Sequence, residues 1–348
     1  MIVALAIDPE SIAELSAVLP SRAATALHNR VIESLMPHGT FVFFSPEEAS
    51  AMVRFVKASD LLAQADRKRW QSLIEFLYMR RRFFVATDAP RLPLKQLDDP
   101  ERLADYELEG SRSIVVLKSE HFEQLFQNDS DSVEHVSGGV TATTSLSVVE
   151  SSTMRTLVDL AASGRHPTGA TRDRVFSDLF EPLCSRDTRV SVVDRYLFKE
   201  IAYRDESRRR NNPPEHLSWL LSRLDETALE GTRVALLGGY EQGGCVPDDA
   251  QEMLDILLRY WSPVGRIQEI ELVLASGRDF PHSRHVRFGG PGFFLDEGFD
   301  RLRKPQLWAA DGIMWKYCWS EPDHHEMVGR ETRVREASSA SVARWVAH

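Results

Sequence analysis

Cysteine is scarce in this chain. Three occur in 348 residues, Cys184, Cys245 and Cys318, far apart and in no Cys-x-x-Cys pair. That spacing excludes a disulfide framework and a thiolate zinc site, and leaves buried thiols as the reading. Long apolar runs are also missing. None reaches the roughly 18 residues that a membrane span needs, so no integral membrane segment is expected. The opening stretch MIVALAID is a short apolar run closed by an acid. It lacks the basic start and small-residue cleavage site of a secretory signal, and a cytoplasmic location is expected. No repeat of fixed period and no low-complexity tract interrupts the sequence. Positive charge is deficient too: the net charge of −10 gives no bulk attraction to nucleic acid or anionic lipid. The first 164 residues carry 16 basic against 23 acidic groups, and the remainder 26 against 29 with Arg favoured over Lys. Arg offers a planar fork suited to phosphate or carboxylate, although genome composition alone produces the same bias.

What is present reads as an ordinary globular chain, with 43% hydrophobic and 27% charged residues. At about 150 residues per domain, the length predicts two. In the first half, short apolar strands alternate with helical patterns: MIVALAID, TFVFFS, RRFFVATD, RSIVVLKSE and, as a fifth candidate, TTSLSVVE. Helical periodicity covers residues 11–18, 23–36, a stretch opened by Pro46, and 70–79. This alternation predicts an α/β fold with a mostly parallel, covered sheet. The stretch ASGRHPTG, residues 162–169, has linker composition, so domains are expected over 1–164 and 165–348. In the second half a short helix is predicted over 174–180, stopping before Pro182. Strands RVSVVDRYL, TRVALLGG and IQEIELVLA then alternate with helices over 216–229 and 250–261. A glycine-rich loop is predicted over 238–244.

Acids follow several first-half strands: Asp8, Asp88 and Glu120, with Glu33 on an early helix. In a parallel sheet the strand ends converge on one edge, where ligands of such folds bind. This arrangement resembles that of PIN-type nucleases, whose acids hold divalent metal for RNA hydrolysis. The resemblance implies Asp8, Glu33, Asp88 and Glu120 as catalytic residues, with Asp8 and Asp88 as ligands of Mg²⁺ or Mn²⁺. Two departures stand: Pro9 follows Asp8 where that family has a polar residue, and the fourth strand offers Lys118-Ser119-Glu120 instead of an Asp pair. The same acids equally suit helix capping at strand-to-helix turns. His28 and His38 have no partners at metal-ligand spacing and read as core or surface residues.

The densest motif is PHSRHVRFGGPGFFLDEGFDRLRKP, residues 281–305. In order, the second half carries Asp194-Arg195-Tyr196, His282-x-Arg284, Arg287-Phe288, Gly298-x-Asp300 and Lys304-Pro305, then MWKYCW and a polar segment with His325-Glu326. This order resembles the phospholipase-D-like domain at the C-terminus of MIT-domain-containing proteins, over residues 172–335. The resemblance implies a phospholipase-D-like α/β domain and places Asp194, Tyr196 and Asp300 at or beside a site. An active site of that type uses two copies of His-x-Lys-x4-Asp. Here Arg284 stands for the Lys, Gly289 stands where the Asp belongs, and no second copy occurs. A non-catalytic domain is therefore expected, with His282, Arg284 and Arg287 binding phosphate through charge-assisted bonds. His282 and Arg284 share one face of an extended segment, and Arg287 joins them only through a bend or bulge. Equally open is pairing of the two arginines with Asp194, Asp296 or Asp300.

Together these readings point to a cytoplasmic two-domain protein whose first domain is a metal-dependent nuclease and whose second binds a phosphate-bearing ligand or partner. Such a pairing fits a prokaryotic conflict or antiviral system. The alternative is a non-enzymatic adaptor that binds phospholipid head groups at a membrane surface. A protein partner is compatible with both, and the oligomeric state is not legible.

Overall fold

A computed structural model of the chain describes residues 3–86, 93–108, 112–126, 132–184, 186–198, 214–240, 249–280, 282, 284–307 and 312–347. The backbone divides into two compact units, 1–160 and 161–348. Both are α/β, each with its own mixed sheet. No helix among the described residues is long and apolar enough to cross a membrane.

The first unit runs β1 (Val3–Ile7), α1 (Pro9–Val18), α2 (Ser21–His38), β2 (Gly39–Phe43), α3 (Pro46–Ala58), α4 (Gln64–Met79), β3 (Phe83–Val85), β4 (Arg112–Leu117), α5 (Ser119–Leu125), β5 (Glu134–Ser137), β6 (Val140–Thr144) and α6 (Ser152–Ala162). Its sheet has the order β3-β2-β1-β4-β6-β5, parallel except for the edge strand β5. Strand β1 is buried throughout, as a central strand covered on both faces must be. On one face Ala6, Val115 and Leu117 pack with Tyr106, Phe122 and Phe126. Asp8-Pro9 and Ser45-Pro46 start α1 and α3, the acid or hydroxyl capping and the proline at the first helical position.

The second unit runs β7 (Gly164–His166), α7 (Arg172–Val175), α8 (Glu181–Cys184), β8 (Arg189–Asp194), α9 (Glu215–Thr227), β9 (Thr232–Tyr240), α10 (Ala250–Tyr260), β10 (Ile267–Ser276), β11 (Arg284–Phe288), β12 (Gly292–Leu295), β13 (Ile313–Cys318), α11 (Glu321–Arg335) and β14 (Ser341–Val346). The sheet order is β14-β10-β9-β8-β11-β12-β13-β7. Strands β8, β9 and β10 are parallel, and every other pairing is antiparallel. One face buries Phe288, Phe293 and Phe299 around Phe180. The other meets α11, through Glu331 and Arg335.

Four local expectations change. The fifth candidate, TTSLSVVE, is displaced: β6 ends at Thr144, and Val148–Glu150 form a 3-10 turn. The linker-like stretch supplies β7, which pairs with β13, because a short polar segment can complete an open sheet edge. The helix expected over 174–180 continues through Pro182. Its middle, Phe176–Phe180, is a π-turn in which the Glu181 N–H bonds the Phe176 carbonyl. Of the loop expected over 238–244, Gly238 and Gly239 belong to β9, as the strand TRVALLGG has them. A side chain at Gly238 would strike the Phe198 ring, and 241–244 lie outside the described residues.

The entry to β10 depends on one buried carboxylate. Asp225, at the end of α9, accepts backbone N–H groups from Val264, Gly265 (3.3 Å), Arg266 (2.8 Å) and Ile267 (2.8 Å). Asp225→Ala leaves those donors without their acceptor, and we expect a loss of about 3 kcal/mol for the second unit, read by urea unfolding. An Asp225→Asn variant, which keeps one acceptor oxygen, should fall between the two.

Candidate functional site

In the first unit the strand order reverses direction between β1 and β4, and Asp8 stands there. Its backbone N–H bonds the Val116 carbonyl at 3.0 Å, so the residue leaves β1 against β4. In open α/β sheets this carboxyl-end switch point is where ligands bind. A cleft of about 460 Å³ opens beside it, bounded by the ends of β1 and β2, the first turns of α3 and residues 93–95. Asp8, Glu10, Glu47, Arg54 and Lys95 bring charge to the cleft, and Phe43, Phe44 and Phe55 give it an aromatic wall.

Asp8 is buried. One oxygen accepts the Glu10 N–H at 3.0 Å and caps α1, and no other hydrogen bond to the carboxylate occurs among the described residues. Burial pushes its pKa above the ordinary carboxylate value, only partly offset by that backbone bond and by Lys95. Glu10 has the opposite character. Lys95 bonds one of its oxygens and Lys118 the other, at 3.1 Å, and these bonds hold its pKa below the usual range. The three side chains remain 57%, 43% and 37% exposed for Lys95, Glu10 and Lys118, so the pairs contribute only about 0.2–1 kcal/mol each. Glu14 accepts the Ser119 N–H through both oxygens and ties α1 to the start of α5. Glu48 accepts the Phe44 N–H at 2.9 Å and serves the start of α3.

Of the three expected catalytic acids among the described residues, only Asp8 lines this cleft. Glu120 is exposed on the first turn of α5 and accepts a long bond from Gln124, while Glu33 is exposed on α2. Asp88 lies outside the described residues. Among the described residues no three metal-capable side chains stand together. Sequence reasoning missed Glu10, Lys95 and Lys118. The Asp-Pro-Glu start of α1 and a lysine directly after β4 were visible signals; Lys95 carried none, because its contact with Glu10 spans 85 residues.

His28 is a core residue. Its Nδ1 accepts the Trp70 indole N–H at 3.0 Å, which puts the ring proton on Nε2, facing the Ser16 hydroxyl at 3.0 Å. A protonated Nε2 cannot serve Ser16 as a base. His38 is buried at the end of α2. In the second unit Cys184 and Cys318 are buried, and burial lifts their thiols to about 12 and about 11, which makes them poor nucleophiles. Cys245 lies outside the described residues.

The phosphate-binding trio expected in the second unit does not converge. Strand β11 pairs regularly with β8 and β12, without a bulge, so Arg284 and Arg287 point to opposite faces. Arg284 bonds Asp194 at 3.2 Å and also the Asp296 carbonyl. Asp194 is buried and further accepts the N–H groups of Tyr196 and Phe299, each at 2.9 Å. A side chain at Gly298 would meet the Asp194 and Asp300 carboxylates, so Gly298 is needed where β8 and the 298–300 turn close together. Asp194, Tyr196, Arg284, Gly298 and Asp300, scattered over the motif, thus meet at one junction. Arg287 turns instead to Glu331 on α11, with bonds of 2.7 and 2.6 Å. His282 is exposed and makes no hydrogen bond among the described residues.

No family model and no curated protein matches the chain.

Two outcomes follow from these carboxylates. Burial alone would raise the Glu331 pKa, but Arg287 and His285 hold it well below the ordinary range. Its stabilising contribution is therefore complete above the unfolded value, about pH 4.3, and is lost as pH falls below it. Arg287→Met, which leaves Glu331 buried and short of its main partner, should cost about 3–5 kcal/mol at pH 7. That penalty should shrink in urea titrations toward pH 4, as the stranded acid protonates. Asp8 carries the reverse sign, its raised pKa making ionisation a cost to the folded state at neutral pH. Asp8→Asn keeps the cap and removes the charge, so its unfolding midpoint should rise, whereas Asp8→Ala should be less stable than Asp8→Asn by about 1 kcal/mol.

Proposed function

We propose that the first unit is a metal-dependent nuclease acting on phosphodiesters at the Asp8 cleft. The observation that carries this reading is Asp8 itself: a buried acid with raised pKa, one oxygen uncommitted among the described residues, at the strand switch point and beside a cleft edged by Lys95. Perturbed acids in clefts mark sites where charge has been kept at a cost to stability. The Asp8 carboxylate is a hard oxygen donor of the kind taken by an ion of the Mg²⁺ class, which binds through one or two carboxylates and leaves the remaining positions to water and substrate phosphate. Asp8 would hold it, with Asp88 as the expected second ligand; when bound, such an ion activates water and neutralises charge on phosphate. The chain's own groups do the rest. Arg54 and Lys95 attract the phosphate backbone toward an otherwise acidic unit, and the aromatic wall receives an unstacked base.

The second unit, on this proposal, recognises a ligand or partner and hydrolyses nothing. His282 stands without an orienting acid among the described residues, and Arg284 and Arg287 are committed to Asp194 and Glu331. That commitment leaves little of the expected arginine pair for a phosphate and argues against the lipid-adaptor alternative.

The test is cleavage of single-stranded RNA and DNA in Mn²⁺. Cleavage by the parent protein that falls at least about a hundredfold in Asp8→Asn, a variant expected to be at least as stable, supports the reading. No cleavage by the parent, together with flotation on phosphoinositide liposomes, would overturn it in favour of an adaptor.

A further inference from the structure

Two ammonium groups from separate parts of the chain meet on one exposed carboxylate. Lys95 comes from the segment between β3 and β4, Lys118 from the end of β4, and each takes a different oxygen of Glu10. Glu10 itself stands in the first turn of α1, where the helix dipole already favours an anion. The neighbouring acids do not claim these lysines: Asp8 caps α1, and Glu14 caps the start of α5. Two positive charges thus face one carboxylate, in a pair of contacts too exposed to add much to the fold.

We infer that Lys95 and Lys118 form a phosphate-binding pole, and that Glu10 occupies it as an internal stand-in for a substrate phosphate. A carboxylate bridging two ammonium groups through separate oxygens presents the same acceptor pattern as two oxygens of a phosphate. A phosphate arriving there would displace the Glu10 side chain, which is solvent-accessible and free to swing outward. Lys95 also lines the cleft, so a group attached to that phosphate would enter beside Phe43, Phe44 and Phe55. A flat base suits that wall. The ligand class is accordingly a nucleoside phosphate, either a free mononucleotide or one nucleotide of a single strand.

This inference rests on the cleft of the proposed nuclease but not on its catalysis, and it is tested without metal. Calorimetric titration in EDTA would use adenosine 5′-monophosphate, adenosine, and an oligothymidylate lacking terminal phosphates. The full chain would be compared with Glu10→Gln and with the double variant Lys95→Ala, Lys118→Ala. All three positions are exposed enough for the variants to fold, and circular dichroism checks this. We expect Glu10→Gln to bind the mononucleotide about tenfold more tightly than the parent, and the double variant to lose at least about tenfold. Adenosine should be indifferent to the lysines. Preference for the oligothymidylate, with the same response to the variants, would assign the pole to an internal phosphodiester. Unchanged or weaker binding in Glu10→Gln, lysine-independent binding, or no binding of either phosphate ligand would each overturn the inference. Binding without Mn²⁺-dependent cleavage would remove the nuclease reading and leave this one standing; cleavage with no effect of the lysines would do the reverse.

Discussion

Glu331 is buried between α11 and β11, with Arg287 across both its oxygens, His285 against one of them and Arg335 nearby. A carboxylate withdrawn from water is tolerable only with such partners, because the desolvation penalty otherwise exceeds anything packing returns. This constraint links α11 to β11 and, through Arg335 and Glu271, to β10. It recurs at two other buried acids of the second unit. Asp194 joins β8 to the 298–300 turn, and Asp225 gathers the backbone donors that lead into β10. The second unit is held at its junctions by acids that have found arginine or backbone partners.

Asp8 obeys the rule least well, which is why it draws attention. It is as buried as the others, yet the only hydrogen bond to its carboxylate among the described residues is the cap of α1. No arginine among the described residues pairs with it, and the nearby Lys95 and Lys118 are engaged with Glu10. Two acids two residues apart are thus driven in opposite directions: burial raises Asp8, and paired ammonium groups lower Glu10.

The arginines of the second unit show how one residue pattern serves either a site or a scaffold. His-x-Arg followed by Arg-Phe beside a glycine turn reads as an anion contact. The register of β11 decides otherwise, since strict alternation sends Arg284 and Arg287 to opposite faces, each toward a buried acid. Asp194 stands 90 residues before Arg284, and Glu331 stands 44 residues after Arg287 on a helix of weak amphipathic pattern. Neither pairing has a local signature.

The sequence by itself determined the α/β class, most helices and strands of both units, and Asp8 as the acid that closes the first strand. These depend on local periodicity, caps and prolines, which act within a few residues. It also brought out Asp194, Arg284 and Gly298 as parts of one feature, and the structure assembles them at one junction. Tertiary structure alone decided that Glu33 and Glu120 stay out of the cleft and that Arg287 belongs to Glu331. It alone brought Lys95 and Lys118 together on Glu10. Each of those outcomes depends on strand register and on which segments cross the sheet edge, and the long-range burial that selects them leaves no mark on neighbouring residues.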